Sequence, residues 1–242
     1  AAKFLLYFGP KEYDRLAALK VGLEDIIDYG WFKLFAKPMF HSMQFLNRIF
    51  GNYGIAIIIM TIIIKVAFIP LTHKSTKSMK EMQRVQPELM KIREKYKNDQ
   101  TAMNREMMEL YKKEKINPLG GCLPILVQMP VFLSLYWVLL ESVEMRQAPF
   151  MLWITDLSIK DPFFILPIIM GATMFIQQRL NPTPPDPMQA KVMKLMPIIF
   201  TFFFLWFPAG LVLYWVVNNV LSISQQWYIT RKIEAATKKA EA

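Results

Sequence analysis

One cysteine, two histidines and nine glycines in 242 residues leave little room for several large classes of function. The cysteine, Cys122, has no partner within the chain, which excludes an internal disulfide scaffold. His41 and His73 lie far apart and outside the long apolar blocks. No H-E-x-x-H, Cys-x-x-Cys or glycine-rich phosphate loop occurs, so neither a metal nor a cofactor is expected and the chain reads as a non-enzyme. Aspartate and glutamate are missing from every long apolar block. That argues against an intramembrane aspartyl protease and against a proton relay through buried carboxylates. A serine-histidine protease working at membrane depth would need a histidine there, and none is present.

What the chain has in quantity is apolar surface. It is 54% hydrophobic and 14% aromatic, with a formal net charge of +10. This composition excludes disorder. The apolar residues come in blocks, over 54–71, 119–140, 162–178, 192–207 and 211–229. At 1.5 Å per residue the first two would run about 27 and 33 Å as helices, and the third and fourth about 24–26 Å. A hydrocarbon core is about 30 Å thick, so the blocks predict five membrane spans. Charge orients them. Residues 72–118 hold 12 Lys and Arg against 7 Asp and Glu, whereas 141–161 hold 2 against 4. The tail after residue 230 again has 4 against 2. Under the positive-inside rule the long insert and the C-terminus are cytoplasmic and the N-terminal segment is outside. Phe150 and Trp153, in the outer loop, suit an interfacial anchor.

Before the spans, residues 3–9 (KFLLYFG) read as a short strand ending at Gly-Pro, with no sheet partner in the chain. The first residues lack the marks of a secretory signal peptide, and the chain is expected to be cut from a larger protein. Residues 31–53 carry an aromatic and basic pattern that suits a helix lying in the membrane interface, kinked or interrupted at Pro38. In the insert, Met79, Met82, Val85, Leu89, Ile92 and Tyr96 form a stripe at helical spacing. Asn98-Asp99 offers a turn and a cap, and Met103, Met107 and Leu110 continue the pattern. The insert over 74–117 therefore predicts an antiparallel helical hairpin. Its stripe is buried internally or, with so many methionines, binds varied apolar segments; Met79, Met82, Met103 and Met107 are the contact candidates.

Polar residues within the spans include Thr61, Lys65, Gln128, Thr173, Gln177, Thr201, Asn218 and Asn219. Each uncharged one can pair with a neighbouring helix. Lys65 differs, because a charge at mid-helix costs roughly 2.5–3.5 kcal/mol on insertion scales. Two readings stay open. Lys65 lies six residues before Leu71, about 9 Å from the span's end, and can snorkel toward it. Alternatively its ammonium lines a water-filled cavity open to the cytosol.

Several strings then carry a resemblance. YKKEKINPLGGCLP begins at Tyr111 and is followed by VQMPVF; ILPIIMGATMFIQQ begins at Ile165, and FLWFPAGLVLYW at Phe204. These resemble the YidC-type membrane protein insertase family, as does VEMRQAPFMLWITDLS from Val143. The resemblance runs from the amphipathic helix to the C-terminus. It implies an all-α membrane protein: a five-span transmembrane helical bundle with a polar groove open to cytosol and lipid, a cytoplasmic helical hairpin and an N-terminal interfacial amphipathic helix. In such a protein residues 1–30 are the remnant of a periplasmic domain and its linker, 31–53 the interfacial helix, 54–242 the insertase core and 231–242 a basic tail. The family usually has Arg on the first core span where this chain has Lys65, which keeps the charge and loses the bidentate fork. Thr61 and Trp215 also match family positions that line the groove; with Gln128 and Asn218, taken from the polar residues of the spans, they and Lys65 are the candidate groove set.

The function implied is insertion of hydrophobic nascent segments into a bacterial inner membrane without nucleotide hydrolysis. The polar flank of the substrate crosses in the groove and the segment leaves sideways into lipid. Partners implied are nascent membrane proteins and the lipid bilayer, with the ribosome, targeting factors and the general secretion channel left open. A small-molecule transporter or channel is one competitor, although no internal repeat supports it. A folding scaffold without insertion activity is the other, and it would not need Lys65.

Overall fold

The structure, a computed structural model, describes residues 6–117, 120, 123–181 and 187–241. These residues form α-helices joined by turns: α1 (Tyr13–Ala18), α2 (Lys33–Phe50), α3 (Tyr53–Ala67), α4 (Ile69–Lys95), α5 (Gln100–Lys113), α6 (Leu123–Glu141), α7 (Ile165–Leu180), α8 (Pro187–Phe204) and α9 (Ala209–Glu241). Among the described residues there is no strand, only an isolated antiparallel bridge between Lys160 and Pro208. The strand expected at residues 3–9 is not formed over 6–9, where no second strand offers hydrogen bonds; 3–5 lie outside the described residues. Cys122 and most of the NPLGGC string also lie outside them.

The first apolar block does not make one straight helix. α3 ends at Ala67, α4 begins at Ile69, and the two are bent by 64°. Pro70 is the reason. It has no N–H to continue the ladder, and its ring would collide with the carbonyl four residues back. As the second residue of a new helix it costs nothing. Residues 69–71 therefore belong to the hairpin arm rather than to the expected span over 54–71. At Pro38, where the sequence predicts a kink or interruption, the helix is not interrupted: α2 runs on through it, although as the sixth residue it lacks the N–H that would bond the Leu34 carbonyl. The later blocks also shift. α7 starts at Ile165, α8 at Pro187, and α9 continues without a break through the basic tail to Glu241. Among the described residues no single helix is long and apolar enough to cross a membrane. α3 and α4 pass that measure only as a bent pair.

α9 is the central helix and packs against α3, α4, α6 and α7; α8 lies on α7, and α2 lies across α3 and α6. One end of the bundle carries the loop over 142–161 and the α8–α9 turn; the other carries the hairpin. Buried apolar side chains concentrate at the loop end. They include Ala56, Ile57 and Met60 of α3, Val138 and Leu139 of α6, Leu166 and Met170 of α7, and 211–214 of α9. Backbone bonds close that end: the N–H groups of Ala209 and Gly210 donate to the carbonyls of Ile159 and Leu157 at 2.7 and 2.9 Å. Asp161, 1% exposed, accepts from Trp153 Nε1, from the Phe163 N–H and from the Leu166 N–H at the start of α7. Asn52 caps α3 by accepting from the Ile55 N–H, and its amide donates to the Phe150 carbonyl. Phe150 thus presses on Gly54, and both Phe150 and Trp153 pack against the core. The expected interfacial anchors are turned inward because the buried Asp161 supplies an acceptor for the indole. Met151 and Leu152 are the exposed apolar residues of this loop.

The hairpin has its own small core of Val85, Leu89, Leu110 and Ile116, with Met82, Ile92, Met107 and Tyr111 against it. Asp99 caps α5 by accepting from the Ala102 N–H at 2.9 Å, in the position the Asn98-Asp99 pair suggested. Burial raises the Tyr111 hydroxyl above its ordinary pKa.

Candidate functional site

The half of the bundle nearest the hairpin has a different chemistry. Four polar or amphipathic residues recur along α9 at spacings of three, four and three: Trp215, Asn218, Ser222 and Gln225. Such spacing places them on one face of a helix. Lys65 on α3 meets this face. Its Nζ donates to Ser222 Oγ at 2.8 Å, and that hydroxyl donates in turn to the Asn218 carbonyl at 2.7 Å. Among the described residues Lys65 has no carboxylate partner. The level of the contact follows from helix rise. Lys65 is twelve residues into α3, Ser222 thirteen into α9 and Gln128 thirteen before the end of α6, each about 18–20 Å from the loop end.

Unpartnered atoms mark the same face. Trp215 Nε1, Asn218 Oδ1 and Gln225 Oε1 are buried without a protein partner, and so is Gln128 Nε2 on α6. Buried polar atoms normally find partners, and these four without one fall along a single seam. The adjoining face of α9, turned by about 100° per residue, behaves as ordinary helix glue. Asn219 Nδ2 donates to Thr173 Oγ1 on α7 at 3.1 Å, and Gln226 Nε2 donates to the Leu180 carbonyl and to Asn181 Oδ1. One helix thus carries two polar stripes, of which only one is satisfied.

Trp215 sits where the polar seam meets the sealed end. Its ring lies 5.0 Å from Phe132, 5.5 Å from Phe204 and 6.3 Å from Phe200, joining α6, α8 and α9. Gln128 is one turn from Phe132 on α6.

The residues singled out from sequence are placed unequally. Lys65, Asn218 and Trp215 share the α9 seam, with Gln128 at the same depth. Thr61 is 1% exposed, and its hydroxyl donates to its own helix at the Ile57 carbonyl, so it offers the seam no free donor. Thr173 and Thr201 also bond carbonyls of their own helices. Ser222 and Gln225 were missed. The signal that finds them is the helical recurrence from Trp215, which a reading of single residues does not use. In the hairpin, Met103 is buried, while Met82 and Met107 pack on the inner cluster and Met79 is half-buried. Met90 and Met108, each 54% exposed, are the outward methionines there.

The outer surface of the bundle is apolar. α8 alone exposes Val192, Leu195, Ile198, Ile199, Phe202 and Phe203. Soluble proteins rarely leave patches of this extent uncovered. Among the described residues the fold is thus an all-helical bundle with a largely apolar outer surface, a seam of polar side chains along α9 and a backbone closure at one end.

The comparisons with known proteins agree. The family model described as 60Kd inner membrane protein matches residues 45–238, and that of the YidC periplasmic domain matches residues 1–42. The chain belongs to the 60Kd inner membrane protein family, whose members here are bacterial inner-membrane proteins. It is 73% identical over 238 residues to the membrane protein insertase YidC of Pseudomonas fluorescens strain Pf0-1, covering 98% of this chain and 42% of that protein. Its identity to the Pseudomonas putida GB-1 protein of the same name is 71%, with the same coverage. A crystal structure of an active YidC insertase with its first transmembrane domain resolved aligns at a TM-score of 0.68 and 27% identity, over 89% of this chain and 50% of that one. The chain therefore spans less than half the length of these curated relatives.

Proposed function

We propose that this chain is the membrane-embedded part of a protein insertase, and that the seam around Lys65 and Ser222 is the path taken by the polar flank of a substrate. α3, α6, α7, α8 and α9 span the bilayer, with the loop end outside and the hairpin in the cytosol, as the charge distribution requires. Helices of 15 to 19 residues in the first four positions are shorter than a typical hydrocarbon core, so the bilayer thins around them. A hydrophobic segment arrives from the cytosol and meets the hairpin at Met90 and Met108. Its short polar flank enters the seam, where Lys65, Ser222, Asn218, Gln225 and Gln128 replace part of the lost hydration. The apolar closure at the loop end limits how far the flank must cross unaided. The segment then leaves sideways past the exposed apolar faces, gaining roughly 0.3–0.6 kcal/mol per large apolar residue at mid-span. Summed over a span, that gain drives insertion without nucleotide hydrolysis.

The observation that carries this reading is the unsatisfied stripe on α9 that Lys65 faces. A bundle built only for stability would pair it, as it pairs the neighbouring stripe. Reconstitution tests the proposal. Liposomes containing the chain should protect the flank of a single-span substrate from external protease, in the absence of nucleotide, several-fold more than empty liposomes do. Solute flux without insertion would instead identify a transporter. Faster folding of substrates already in the bilayer, with no gain in flank protection, would identify a scaffold.

A further inference from the structure

We infer that Ser222 is a positioning residue for the groove cation, setting the depth at which Lys65 receives an acidic group on a substrate flank. The inference rests on the insertase reading and deepens it. A lysine ammonium is a point charge with three donors on a flexible four-carbon stem. Left alone in a half-buried seam it would sweep over several ångströms and lean toward the nearest water. Here one donor is fixed on Ser222 Oγ at 2.8 Å. The serine proton is committed to the Asn218 carbonyl, so the hydroxyl faces Lys65 as an acceptor. The lysine and the serine are 157 residues apart in the chain, and the bond joins α3 to α9 across the seam. The remaining two ammonium donors are left for a ligand, since no carboxylate of the described residues takes them.

Arginine would need no such latch. Its planar fork of five donors can hold a helix acceptor with one edge and a carboxylate with another. Ser222 therefore acts together with the lysine of this chain, and its effect depends on which cation stands at position 65. The substrate feature read this way is a carboxylate in the translocated flank, bound about 18–20 Å from the loop end.

The test is a double-mutant cycle in proteoliposomes, with one substrate whose flank carries zero to three aspartates and with insertion normalised to the amount of each variant in the membrane. Ser222→Ala should lower the preference for the three-aspartate flank over the neutral one by about two- to tenfold, the range for losing one hydrogen bond. Ser222→Thr, which keeps the hydroxyl, should restore it. In the Lys65→Arg background, Ser222→Ala should change the preference by less than half as much. An equal loss in both backgrounds would make Ser222 merely structural and overturn the latch. An unchanged preference in Ser222→Ala, with the preference abolished in Lys65→Leu, would also overturn it while leaving the groove reading intact. If Lys65→Leu keeps the full preference, the groove cation itself fails, and the latch with it.

Discussion

Thr201 of α8 lies directly over Gly171 of α7, so close that any Cβ at position 171 would overlap the threonine hydroxyl. Gly171 is buried, and α8 has its main packing on α7. The close approach is what docks an otherwise apolar, outward-facing helix. Gly171→Ala should destabilise the bundle by about 1–3 kcal/mol through overpacking. Thr201→Ala should recover part of that loss in the double variant, because the threonine hydroxyl bonds only its own helix at the Pro197 carbonyl. Thermal unfolding in detergent micelles measures both, and an additive double variant would show that the two do not meet.

Lys65 separates a groove charge from a snorkelling one. Lys65→Glu should cut insertion of substrates with acidic flanks most strongly, by about tenfold or more, because attraction becomes repulsion in a poorly screened seam. Lys65→Arg should keep the order of flank preference. Lys65→Leu should raise the thermal stability of the bundle while lowering insertion of acidic flanks. Equal activity of Lys65→Glu and the parent across a series of graded flank charge would remove the role.

Asp161 holds three donors at the loop end with one side chain. Asp161→Ala leaves the Trp153 indole, the Phe163 N–H and the Leu166 N–H at the start of α7 without their acceptor. The expected cost is about 2–4 kcal/mol, and Asp161→Asn, which still accepts on one atom, should cost less. Denaturation in micelles gives the ranking, and faster hydrogen exchange at Leu166 gives the location.

Asp25 accepts from Lys37 Nζ at 3.0 Å and from Lys33 Nζ at 3.1 Å, tying the turn before α2 to its first residues. Bonding to Lys37 and then to Lys33 holds the carboxyl below its ordinary value of 3.8. A depressed carboxylate stabilises above its unfolded pKa and loses that contribution as pH falls through the folded one. The contact should therefore be complete at neutral pH, and it should open only in acid below 3.8. Added salt should weaken it at every pH, since the group is exposed. Chemical shifts at residues 25, 33 and 37 followed through an acid titration report it, and a midpoint above 3.8 would contradict the pairing.

The hairpin should be cytoplasmic and separable from the bundle. Its core is small and local, so Leu89→Ala should loosen residues 85–116 by about 2–4 kcal/mol while leaving the Asp161 end protected from exchange. A cysteine placed at Lys97, on the exposed tip, should react with a membrane-impermeant reagent only after the inner face is opened. Labelling from outside intact cells would reverse the topology.

Much of the architecture can be read from composition and spacing, since the forces behind it act locally. Apolar blocks must leave water wherever they fold, and basic segments resist crossing a bilayer. Asn98-Asp99 must turn and cap, because Asp99 can reach the Ala102 N–H three residues on without help from any other element. Element ends are less legible, and the break at Phe68 shows why. Pro70 marks an interruption in the sequence, but the direction of α4 is set by what it packs against.

The site divides along the same line. That a charge at position 65 needs water or a partner follows from solvation energy alone. Which residue meets it does not. Asn218 and Asn219 are chemically the same and adjacent, yet Asn219 bonds Thr173 of α7 while the Asn218 carboxamide oxygen stays unpaired on the face shared with Ser222. A rotation of about 100° between neighbours on a helix decides between a side chain that pairs with α7 and one on the face that Lys65 meets. That rotation acquires meaning only when α3 and α7 are in place on either side of α9. Thr61 makes the complementary point: its residue type suited the groove, and the packing of α3 covered it. Helix periodicity is written in each segment. The partner of each face comes from contacts between distant segments, and no local pattern encodes them.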